Sequence, residues 1–239
     1  MNIAVIFAGG TGRRMHTGGL PKQFLEVNGV PIIVHTLRVF QRCSAIDAVV
    51  VACLADYLDW MRELTETYRL SKVKRIVPGG KTGQESIYHG LCAAKELTRE
   101  KSVVLIHDGV RPLIEEDLIV RNIQSVREHG SAISAVKAKE TVILGGEDNC
   151  AKSATEREST FFARAPQSFW LDELLSCHEA SIREGREFID SCTMMMHYGK
   201  RVRMVETSYQ NIKITTPDDY YIFKALLAAR ENAQILGMN

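Results

Sequence analysis

The stretch Ile3-Ala4-Val5-Ile6-Phe7-Ala8-Gly9-Gly10-Thr11-Gly12-Arg13-Arg14-Met15, running on to Pro21-Lys22-Gln23-Phe24, decides how the rest of the chain is read. A strand-length apolar run feeds straight into a glycine-rich loop, and cations follow on the loop and after a proline. Glycines let backbone N–H groups approach an anion closely, because no Cβ stands in the way. Fixed cations such as Arg14 and Lys22 add the charge that phosphate groups require. The reading is a first strand whose carboxyl end meets a phosphate-rich ligand.

Outward from that strand, apolar periodicity alternates between helix and strand spacing. Residues 31–41 place Ile32, Ile33, Thr36, Val39 and Phe40 at helical spacing, and 45–52 read as a buried strand. A helix is predicted over 55–69, a strand over 73–77, and, past Gly79-Gly80, a helix with Ile87, Leu91 and Ala94 inward. A strand over 102–107 ends at Asp108. A helix over 115–128 and a strand over 131–136 follow. The rhythm predicts an α/β fold, a Rossmann-like and mostly parallel twisted sheet with helices on both faces. The loops after Phe7, Val77 and His107 then share one edge, where ligands bind in such sheets.

The rhythm breaks near 138–162, where residues 141–144, the turn 145–149 and residues 150–155 read as a protruding β-arm that packs on another subunit. Helix 171–184, strand 201–206, the segment 211–216 and a last helix from Pro217 complete the chain; proline suits that start. Residues 1–239 are thus read as a single domain with a dimerisation arm.

Composition sets outer bounds. With 45% hydrophobic and 25% charged residues and a net charge of +1, the chain matches a soluble globular protein and lacks the basic excess of a nucleic-acid binder. No apolar run is long enough to span a membrane, and the N-terminus lacks signal-peptide features. The six cysteines are scattered without a C-x-x-C pair, which suits a reduced, cytoplasmic setting. The glycine loop is not a dinucleotide fingerprint: Met15 stands where the third glycine belongs, and no acidic residue follows about twenty positions on. No Gly-Lys-Ser/Thr completes a Walker loop.

Ala8-Gly9-Gly10-x-Gly12-x-Arg14-Met15 together with Pro21-Lys22-Gln23-Phe24-Leu25 resembles the cytidylyltransferases that act on polyol phosphates, both the methylerythritol-phosphate and the ribitol-phosphate enzymes. Gly79-Gly80 with Ser86, the run from His107 to Pro112, Ala165-Pro166-Gln167-Ser168-Phe169 and Asn211-Ile212-Lys213-Ile214-Thr215 extend the match in the family's order. The resemblance implies attack of a polyol-phosphate oxygen on the α-phosphorus of CTP, with release of pyrophosphate. It assigns Arg14, Lys22 and Lys213 to transition-state charge, and Ala8, Gly9, Gly10, Gly12, Gly80, Ser86, Asp108 and Gly109 to the nucleotide. Asp108 would hold Mg²⁺, and Arg111, Thr141, Arg157 and Lys213 would position the polyol phosphate. Arg157, on or beside the arm, would reach the partner's site, so a homodimer is implied.

Each assignment has a plainer rival: a tight turn for Gly9-Gly10, a cap for Asp108, a solvated charge for Lys213, a surface ion pair for Arg157. His107 is read as a packed strand residue, and Trp170 and Met194-Met195-Met196 as core or interface. Ala165, Ile189 and Gly83 depart from the family's threonines and arginine. These departures bear on the acceptor, and details such as Thr215-Thr216-Pro217 lean toward an alditol phosphate. A nicotinamide oxidoreductase and a non-catalytic nucleotide-binding module are the readings from other classes.

Overall fold

The computed structural model describes residues 1–10 and 19–235. Its first half holds β1 (Asn2–Ala8), β2 (Glu26–Val27), β3 (Val30–Pro31), α1 (Ile32–Arg42), β4 (Ala48–Cys53), α2 (Leu58–Thr67), β5 (Val73–Pro78) and α3 (Gly83–Lys95). The second half holds β6 (Val103–Asp108), α4 (Glu116–His129), β7 (Ser131–Lys137), β8 (Ile143–Gly145), β9 (Ala151–Ala154), β10 (Phe161–Trp170), α5 (Leu171–Glu184), α6 (Ser191–His197), β11 (Met204–Glu206) and α7 (Pro217–Ile235).

Seven strands form one sheet in the order β11-β7-β10-β6-β1-β4-β5. All run parallel except β10, which pairs antiparallel with both β6 and β7. Strand alternation explains the two-sided core. Ala4, Ile6, Val49, Val51 and Leu105 face α1, α2 and α4, whereas Ile3, Val5, Val50, Val104 and Ile106 face α3, α5 and α6. A third apolar cluster seats α7 through Phe223 against Ile32, Val110 and Ile214. Cys43 and Cys53 are buried in the first core as small hydrophobes.

Sequence and structure agree on the sheet and its helices, with shifts of a residue or so at most ends. Three elements escape the periodicity. β10 contains Pro166 and polar residues, so it lacks a strand's alternation; the β10–β7 register shifts between Ala163 and Gln167, where Pro166 supplies no N–H. α6 is only seven residues long, and β2–β3 is a two-residue pairing. Residues 211–216 are not a strand but a strap tied by Ile214 N donating to Val110 O at 2.9 Å. The hairpin β8–β9 stands apart from the main sheet, with all its residues exposed. No helix among the described residues is long and apolar enough to cross a membrane.

Candidate active site

Because β1, β4, β5 and β6 run parallel, the loops after β1, β5 and β6 do meet at one edge. They enclose a cleft of about 520 Å³ whose walls include Ala8, Gly9, Gly10, Lys22, Gly80, Ser86, Asp108 and Lys213. A smaller cleft of about 300 Å³ adjoins it. Phe7, Gly83, Asp108 and Lys213 line both, so the two spaces meet at these residues. Arg14 and Gly12 lie outside the described residues.

Lys22 is delivered by a short turn, Lys22–Phe24, whose Phe24 is buried and stacked on Tyr57 and Trp60 at 4.9 and 4.7 Å. That anchor fixes Lys22, only 9% exposed, with its Nζ donating to Ile214 O at 2.8 Å. Gln23 Nε2 donates to Ala8 O at 2.6 Å and holds the turn against the end of β1. The loop is thus tied both to the first strand and to the strap.

Gly9 is needed for more than an anion. A Cβ there would stand 2.9 Å from Ser86 Oγ, closer than packed atoms tolerate. Ser86 in turn accepts from Gly80 N at 3.0 Å and donates to Thr82 O at 2.9 Å. Its hydroxyl therefore shapes the loop after β5, in addition to lining the cleft.

Asp108 ends β6 and is 5% exposed. Its Oδ2 accepts from Arg111 Nε at 2.7 Å and its Oδ1 pairs with Lys213 Nζ at 2.6 Å. Burial alone would raise its pKa; Arg111 and Lys213 outweigh that and hold the carboxyl below the usual carboxylate range. It is the shared counter-charge of two cations, not a helix cap. Arg111 is buried, braced by Asp108 and by Asn211 O at 2.9 Å, and lines the smaller cleft. Lys213 keeps 40% of its side chain exposed and is the most exposed member of the trio.

The remaining candidate residues lie away from these two clefts. Gly109 lines neither cleft: its N–H donates to Phe7 O of β1 and its carbonyl accepts from Thr36 Oγ1 of α1, so both backbone groups are engaged. Thr141 and Arg157 sit together at the base of the arm, where Arg157 Nη2 donates to Thr141 Oγ1 at 3.1 Å, and neither lines these clefts. His107 is fully buried, faces Arg111 O at 3.2 Å, and burial pushes its pKa down to about 4. It is a packed strand residue. Met194 and Met195 are core, whereas Met196 is exposed.

The smaller cleft gathers what motif reading separated. The three departures, Gly83, Ala165 and Ile189, all line it, with Ile189 93% exposed. So do Gln84, Arg164, Gln167, His178, Asp190 and Ser191. None of these six was singled out as a site residue, because they come from β10, α3, α5 and the approach to α6, with no shared local motif; the polar interruption of β10 is the one available signal.

Comparisons with known proteins place the chain among its relatives. Residues 2–229 match the family model described as "IspD: 2-C-methyl-D-erythritol 4-phosphate cytidylyltransferase". The chain is 57% identical over 239 residues to a ribitol-5-phosphate cytidylyltransferase of Streptococcus agalactiae serotype Ia, covering 100% of both. It is 46% identical to a ribitol-5-phosphate cytidylyltransferase of Vibrio parahaemolyticus, covering 99% of this chain and 100% of the relative. A crystal structure of 4-diphosphocytidyl-2C-methyl-D-erythritol synthase from Anaerococcus prevotii superposes with a TM-score of 0.83 at 27% identity, covering 95% and 96%.

Proposed function

The chain belongs to the IspD family of cytidylyltransferases, and from that premise we propose that it transfers CMP from CTP to an alditol phosphate of the ribitol 5-phosphate kind, yielding a CDP-alditol and pyrophosphate. The observation that carries this reading is the meeting of two clefts at Asp108 and Lys213. The larger cleft has the glycine-lined, cation-bearing walls a nucleoside triphosphate needs. The smaller has the size and polarity of a small hydroxylated phosphate ester. The choice of ribitol phosphate rests on the two relatives above, and methylerythritol phosphate is the second reading, supported by the family description.

The nucleophile is a phosphate oxygen already ionised at neutral pH, so no general base is required, and neutral His107 is not asked to serve as one. What the residues supply is position and charge. Lys22 faces the triphosphate cleft, and Arg14 is assigned beside it by the resemblance. Lys213 stands at the junction, where it can stabilise charge shared between attacking and leaving oxygens. Ala8, Gly9, Gly10 and Gly80 offer backbone to the nucleotide.

Asp108 fits Mg²⁺ in the manner typical of that ion, one carboxylate with the remaining ligands from phosphate and water. No group of three or more His, Cys, Asp or Glu forms a protein cage among the described residues. Asp108 Oδ1, paired here with the partly exposed Lys213, would be the oxygen offered to the ion. Bound there, Mg²⁺ would neutralise phosphate charge. Thr141 and Arg157 serve the site of a partner subunit, a homodimer supported by the exposed Ile143 and Leu144 on the arm.

The test is pyrophosphate release with CTP and a panel of ribitol, mannitol and methylerythritol phosphates. Turnover highest with ribitol 5-phosphate is expected. Absence of turnover with every acceptor, beside an active control enzyme, removes the reading.

A further inference from the structure

The inner wall of the smaller cleft holds a set of polar groups that the nucleotidyl chemistry does not use. Six buried side-chain nitrogen or oxygen atoms among the described residues lack a hydrogen-bond partner. Four of them, Arg164 Nε, both ring nitrogens of His178 and Ser191 Oγ, belong to residues lining this one cleft. His178 and Ser191 are 1% and 2% exposed. Folded proteins rarely leave buried polar atoms unpaired, and a concentration of them in one cavity is the mark of a ligand's place.

Their chemistry narrows the ligand. Burial pushes the His178 pKa down to about 4, so its neutral ring offers one donor and one acceptor. The ring stacks on Tyr88 at 6.1 Å, which fixes its plane. Ser191 both donates and accepts. Arg164 only donates; burial, with the like charge of Arg111, holds its pKa below the usual range, and its Nε has no partner among the described residues. Arg164 lies within the register shift of β10 between Ala163 and Gln167 and lines the cavity. Alternating donors and acceptors along one wall suit a row of hydroxyl groups.

We propose that Arg164, His178 and Ser191 read the hydroxyl chain of the acceptor and select an unbranched alditol phosphate over a branched, methyl-bearing one. This deepens the function proposed above and rests on it. The phosphate end lies at the Lys213 junction, and the hydroxyl chain runs inward to this wall. Arg164 here is a specificity residue.

Steady-state constants of the full-length protein test it, measured for CTP, ribitol 5-phosphate and methylerythritol 4-phosphate in Ser191→Ala, His178→Leu and Arg164→Met. Loss of one such hydrogen bond is expected to raise the ribitol phosphate KM about tenfold, more for Arg164→Met, with the CTP KM unchanged. The preference over methylerythritol phosphate should narrow in step. Ser191→Ala removes a single oxygen and keeps the test valid if the larger changes lower the melting temperature. Acceptor constants within twofold of wild type overturn the proposal, as they would if the wall held only water. So does a parallel rise in the CTP KM. If the wild-type protein uses no acceptor, the functional reading falls and this one with it; if it is active and the variants match it, the specificity wall alone falls.

Discussion

The cleft edge and the arm are built on opposite principles. At the cleft, the key charges are held by partners: Asp108 is buried between Arg111 and Lys213, and Lys22 is pinned to Ile214 O. In the arm, β8 and β9 pair only with each other, and Ile143 and Leu144 are 59% and 51% exposed. A site that must present charges to a transition state keeps them rigid and partly desolvated, where each is worth most. A segment that leaves apolar side chains in water is shaped for something outside its own protomer. The cleft side is packed into the fold; the arm projects from it.

Asp108→Ala should break the comparison most sharply. It leaves Arg111 buried without its counter-charge, which costs about 3–5 kcal/mol, and a kcat loss of about a thousandfold is expected. Denaturant melts and initial rates report both, and a stable, active variant would show that the network is ornamental. Lys22→Ala should lower kcat by about a hundredfold, the scale of one transition-state donor. Unchanged turnover takes Lys22 off the catalytic list.

Acidity probes the interior on the cleft side of the comparison. Burial holds His107 and His178 neutral with pKa values near 4. The unfolded chain binds protons first, near pH 6.5, so stability falls as pH drops from about 6.5 to 4. A melting-temperature decrease of about 5 °C or more across that window is expected, and His178→Leu should flatten part of it. A flat profile would mean the rings are not held neutral. The arm gives the smallest effect. Leu144→Asp should raise the acceptor KM about tenfold and shift the sedimentation profile toward monomer, while the melting temperature of the protomer stays put. A lower protomer stability with unchanged association would mean the hairpin belongs to the protomer after all.

The sheet was legible because continuous strand-length apolar runs such as Ile3 to Ala8 and Val103 to Ile106 mark strands buried on both faces, and parallel strands then force their loops to one edge. The triphosphate side was legible for the same reason: its residues follow strand ends in local motifs. The acceptor side was not. Arg164, His178 and Ser191 come from β10, α5 and α6, and their meeting depends on a strand that runs against its neighbours and contains a proline. Periodicity carries no information about such tertiary convergence. Nor could spacing reveal that Gly9 answers to Ser86, or that Gly109 has its backbone fully engaged.

The strap from Asn211 to Thr215 has a consequence in time. It receives Lys22 at Ile214 O, 192 positions along the chain, and Arg111 at Asn211 O. The core strands β1, β4 and β6 are all synthesised within the first 108 residues, long before the strap leaves the ribosome. The site is therefore completed last: turnover should appear only when the final thirty or so residues dock and supply the acceptor for Lys22 and the brace for Arg111. In refolding experiments, recovery of activity is expected to lag behind recovery of the sheet's circular dichroism, and simultaneous recovery would show that strap and sheet form as one unit.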